Sequence, residues 1–103
     1  MRFIIKYAVQ HEAGNAALTD PAFGEKMKQL LTDLKAEAAY FSTINGKRGG
    51  YIVVNMDDVS QIPGMAEPFF LWMNADVEFI PVMTPEDLGQ AGAGIGAAIK
   101  KWT

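Results

Sequence analysis

Few residues in this chain carry reactive or recognising chemistry, and the pair His11-Glu12 is the first of them. His11 is the only histidine. An imidazole beside a carboxylate is the raw material of a general base, and His11 is the one catalytic candidate. The same pair is also ordinary on a solvated loop, where adjacent side chains need not point together. Lys6, Tyr7, Tyr40, Tyr51 and Asn55, together with Arg2, place polar tips on segments that read as strands. Aromatic walls with a few polar ends suit a small aromatic or lactone-like ligand. The tyrosines serve equally well at a sheet surface or subunit interface, where one apolar body and one polar tip are useful. Phe69-Phe70-Leu71-Trp72-Met73 is a dense apolar run that reads as core, as a grip on a partner, or as a cavity wall with Trp72 as its ligand contact. The candidate ligand-binding set is therefore Lys6, Tyr7, Tyr51, Asn55 and Trp72.

Other chemistries are excluded by what the chain lacks. There are no cysteines, so disulfides, thiolate nucleophiles, zinc–thiolate sites and iron–sulfur clusters cannot form within it. No HxxxE, HxxEH or carboxylate cluster has metal-ligand spacing; no metal and no cofactor is expected. Gly92-Ala93-Gly94-Ile95-Gly96-Ala97 matches G-x-G-x-x-A by letter, but no strand precedes it and too little chain follows for a dinucleotide unit. It reads better as a small-residue face that lets a helix approach another element closely. Nine basic and twelve acidic residues leave a net charge of −3, which does not suit nucleic acid. Lys47-Arg48 is the one local basic cluster and reads as a solvated turn. Lys6 interrupts the apolar start, so no signal peptide is expected. No run approaches the roughly 20 apolar residues of a membrane helix. A soluble cytoplasmic protein is the expectation.

The elements that must position these residues follow from periodicity. Phe3 to Val9 is β-branched and aromatic and reads as a strand, with Phe3, Ile5, Tyr7 and Val9 on its core face. Gln10 to Thr19 reads as a polar loop. Asp20 and Pro21 then open a helix, in which Phe23, Met27, Leu30, Leu31, Leu34 and Ala38 form one stripe. Tyr40–Ile44 and Tyr51–Met56 read as a hairpin around Asn45-Gly46, with Gly49-Gly50 absorbing a bulge in a long turn. A short helix follows, capped by Asp58 or Ser60, with Pro63 in its first turn and Pro68 ending or kinking it. Val77–Met83 reads as the last strand, and Pro81 places it at an edge or strand end. Thr84-Pro85-Glu86-Asp87 is a helix start, and the tail to Trp102 reads as helical.

The order βαββαβ is the ferredoxin-like pattern: an α+β domain with a four-stranded antiparallel sheet, helices on one face and an extra C-terminal helix. One domain spans 1–103, with a core over 1–84 and a helical appendage over 85–103. At 103 residues and 50% hydrophobic content, the chain is small and rich in apolar residues. The second sheet face is too apolar to stay wet, so it should pair with a second copy.

The element order, the hairpin NGKRGGYIVVNMDD and the closing VEFIPVMTPEDL resemble a family of short, uncharacterised bacterial proteins. That family belongs with the dimeric α/β-barrel proteins, which include muconolactone isomerase and the antibiotic-type monooxygenases. The resemblance covers about Met1 to Leu88 and implies a homodimer, with higher oligomers open. It carries over no catalytic residue. Two functions stay open. One is binding of a small apolar or aromatic molecule between sheet and helices. The other is a cofactor-free isomerase, cyclase or monooxygenase, with His11 as base and Tyr51, Asn55, Lys6 or Arg48 polarising an oxygen.

Overall fold

A computed structural model describes residues Met1–Thr103. Its elements are β1 (Arg2–Val9), α1 (His11–Thr19), α2 (Phe23–Asp33), β2 (Ala38–Ile44), β3 (Lys47–Asn55), a 3₁₀ turn (Val59–Gln61), α3 (Ile62–Met73), β4 (Ala75–Val82), α4 (Pro85–Gly89) and α5 (Gly92–Trp102). The strands form one antiparallel sheet in the order β2-β3-β1-β4. The α+β class, the four-stranded sheet and the helical cover agree with the ferredoxin-like pattern.

The period-2 alternation of β1 divides the sheet. Phe3, Ile5, Tyr7 and Val9 are buried and join Met27 and Leu30 of α2, Leu34, and Phe69 and Met73 of α3 in one core. Arg2, Ile4 and Lys6 point the other way and stay half-exposed. Each large side chain sealed on the helix side contributes about 1.5–3 kcal/mol. Helices α1, α2 and α3 cover only that side.

The hairpin is tighter than the sequence reading. Asn45 (φ 52°) and Gly46 (φ 78°) form a two-residue turn with both φ angles positive, and Ile44 already pairs with Lys47. The twist of such a turn matches that of the strands, so no extra residues are needed. Nor is there a bulge. Gly49 and Gly50 pair in unbroken register with Ala8 and Tyr7 on one side and with Ser42 and Phe41 on the other. Their role is space: a Cβ on Gly49 would sit 2.0 Å from the Tyr7 carbonyl oxygen, and one on Gly50 2.3 Å from that of Tyr40. Lys47-Arg48, read as turn, is strand.

Residues His11–Thr19, read as loop, form α1. Three alanines and Leu18 supply helix propensity, and packing on α3, α2 and β3 does the rest. Thr19 Oγ1 donates to the carbonyls of Asn15 and Ala16 at the helix end. Helix α2 starts at Phe23, two residues beyond Pro21. Asp20 still organises that start: its carboxylate accepts from the Ala22 N–H at 2.9 Å and pairs with Lys26 at 2.9 Å. The helix ends before Ala38 because Lys35 turns left-handed (φ 50°).

Asp58 caps the 3₁₀ turn in a reciprocal box with Gln61, and α3 runs through Pro68 without ending there. Its buried positions Ala66, Phe69 and Met73 hold the helix on the sheet, so tertiary packing outweighs the missing N–H. Pro81 does sit on an edge strand, since β4 pairs with β1 alone. The tail is helical in two pieces, α4 and α5, and neither contains a buried residue. It projects: the radius of gyration is 17.2 Å, against about 13 Å for a compact chain of this length.

Candidate functional site

Three helices do not cover four strands. The uncovered width falls at β2, where Phe41 points to the helix side yet is 64% exposed. Between β2 and the helices lies a half-enclosed cavity of about 260 Å³. Tyr7, Val9 and Met73 line its core side, with Gly14, Ala17 and Leu18 from α1 and Phe23 and Met27 from α2. Phe41, Ser42, Thr43, Arg48 and Gly49 close it from the sheet. The volume lies just below the roughly 300–1,000 Å³ of drug-sized sites and suits a single-ring molecule. The walls are mostly apolar, and the polar groups are few.

Two glycines shape this space. Without a side chain, Gly50 leaves room for the Tyr7 ring and hydroxyl, which lie 3.2 and 3.1 Å from where its Cβ would be. Gly14 lets Arg48 lie across α1, with Nη1 only 2.9 Å from the absent Cβ. Arg48 Nη1 donates to Asn15 Oδ1 at 2.8 Å. Tyr7 stacks at a tilt on Phe69, with ring centroids 5.0 Å apart. Burial pushes its phenol up to about 12, so near neutral pH Tyr7 is an uncharged hydrogen-bond donor.

Of the residues singled out in the sequence, Tyr7 and Arg48 meet at this cavity. The others do not. His11 is exposed at the first position of α1 and lines no part of it. Trp72 packs its ring on Phe23 at 5.7 Å and lines a shallow groove outside the helix layer. Lys6 lies on the open face, in a hollow of about 200 Å³ with Asp76 and Glu78. Tyr51 is on the open face, opposite Tyr40 and Lys6. Asn55 is engaged there by Glu37, which also pairs with Arg2 at 2.9 Å. With one arginine and one neutral tyrosine as its only titratable lining, the cavity has donors and no general base from within the chain. Phe41, Phe23 and Met27 were not singled out as site residues. The signal for Phe41 was Gly49-Gly50: paired glycines inside a strand mark a close approach.

No group of three or more His, Cys, Asp or Glu side chains is placed to hold a metal ion, and no helix is long and apolar enough to cross a membrane. Residues 1–96 match the family described as "Domain of unknown function (DUF3303)". The chain belongs to this family. No curated protein matches it. DUF3303 membership brings no activity with it, so the reading of the site rests on its geometry.

Proposed function

We propose that this DUF3303 protein is a homodimeric binding protein that holds a small apolar or aromatic molecule between its sheet and helices. The observation that carries the reading is the cavity of about 260 Å³, floored by Tyr7 and walled by Phe23, Met27 and Phe41. The second copy is supported by the open sheet face. Tyr40 and Tyr51 are 64% and 37% exposed there, with Ile4, Val53, Ile80 and Val82 only half-covered around them. An apolar face of this kind on a small domain favours association, and sheet-to-sheet pairing would give the α/β barrel that the sequence resembles. The projecting tail, with Ile95, Ile99 and Trp102 exposed, supplies further surface for a partner copy.

Native mass spectrometry of freshly purified protein tests both parts. The expected spectrum shows a dimer that retains, or takes up from a panel of single-ring compounds, one small molecule per chain. A monomer at micromolar concentration defeats the dimer. A dimer that takes up none of the panel defeats the binding role.

A further inference from the structure

We infer that the cavity selects a small carboxylate, its apolar body lying among Phe23, Met27 and Phe41 and its charged end meeting Tyr7 and Arg48. This deepens the binding role above and rests on it. Tyr7 is 2% exposed, and no protein group accepts a hydrogen bond from its hydroxyl. Yet no side-chain oxygen of the chain is both sealed from solvent and unpartnered. The hydroxyl is therefore not wholly sealed, and the cavity is the space that Tyr7 lines on its helix side. A donor held in a nearly buried position without an acceptor forgoes the energy of a hydrogen bond, and a ligand oxygen restores it.

Arg48 supplies the charge. Asn15 anchors one guanidinium nitrogen at 2.8 Å, and the two ion pairs of the chain are Arg2–Glu37 and Lys26–Asp20. The guanidinium carries five donors in a planar fork, so N–H groups remain beyond the Asn15 bond. No Asp or Glu lines the cavity. Arg48 is exposed, so its cation stands at the solvent-facing side of a cavity that Tyr7 also lines, and its free N–H groups favour an anion there. A planar guanidinium matches the two oxygens of a carboxylate best. The overall charge of −3 makes this local positive site more distinctive.

The test pairs each acid with its neutral amide: phenylacetate with phenylacetamide, benzoate with benzamide, and hexanoate with hexanamide. Affinities are measured on the full chain by ligand-observed NMR titration. At least one acid should bind about ten-fold or more tightly than its amide, as expected for a charged hydrogen-bonded contact. Arg48→Gln should abolish that preference and Arg48→Lys should keep part of it. Tyr7→Phe, which retains the ring on Phe69, should weaken the acid by about two- to ten-fold. Equal binding of acid and amide overturns the carboxylate preference while leaving the binding role intact. An acid preference that survives Arg48→Gln also overturns it. Failure of all six compounds to bind overturns both.

Discussion

The two faces of the sheet are made from alternate residues of the same strands, and they differ in nearly every physical respect. Tyr7 and Lys6 are neighbours in β1. Tyr7 is sealed against Phe69 and lines an apolar cavity. Lys6 lies in an open, charged hollow with Asp76 and Glu78. The helix side is complete within one chain except at β2, where its gap is the cavity. The open side is incomplete along its whole width, with Tyr40 and Tyr51 exposed. A gap in a finished layer suits a small molecule, whereas an unfinished layer suits another protein surface.

The contrast can be broken most forcefully from the helix side. Phe69 is fully buried, and Phe69→Ala should cost about 3–5 kcal/mol in urea unfolding. A loss under about 1 kcal/mol would mean that Phe69 is not part of a packed core beneath the helix layer. Gly50→Val comes next. Its Cβ has backbone, not a flexible side chain, in its way, so a loss of about 1–3 kcal/mol is expected, together with loss of ligand binding. Full stability with intact binding would remove the glycine's spatial role.

Tyr7 gives a smaller effect that depends on pH. Its folded pKa is raised above the unfolded value near 10, so the stability it contributes is full below pH 10 and is lost as pH rises towards 12. The loss should reach at most about 2 kcal/mol after allowance for solvent screening. Tyr7→Phe should flatten that alkaline limb in thermal melts. A wild-type limb that matches the Tyr7→Phe limb would place the phenol in water. The least change within one chain is expected on the open face. Tyr40→Lys combined with Tyr51→Lys should leave circular dichroism unchanged and alter chain stability by no more than about 0.5 kcal/mol, apart from the concentration-dependent contribution of the proposed dimer. Light scattering should nevertheless report a monomer. A dimer that survives both lysines puts the interface elsewhere.

Much of the fold was legible in the residues. The stripe from Phe23 to Leu34 and Pro81 at an edge follow from local periodicity or backbone restriction and lie where expected, whereas the hairpin turns at Asn45-Gly46 without the longer turn and bulge expected of it. Helix α1 was not legible, because Gly14 and Asn15 weaken its propensity and its stability comes from tertiary packing on the neighbouring helices and β3. The passage of α3 through Pro68 has the same origin. The site was legible in part. Tyr7 was recognisable from its strand position, and Arg48 was among the groups named for polarising an oxygen. Lys6, Tyr51 and Asn55 are on the other face, and His11 and Trp72 are outside the cavity.

By itself the sequence determined which residues share a face, since alternation in a strand and a 3.6-residue period in a helix are properties of the local backbone. It also determined the chemistry on offer: no thiol, one imidazole, and a surplus of apolar side chains. Only the tertiary structure decided which face each set occupies and where the helix layer stops short. Those depend on strand register, on the close approach that Gly49 and Gly50 permit, and on three helices spanning less width than four strands. That mismatch brings Tyr7 and Arg48 to one cavity and leaves His11 exposed outside it.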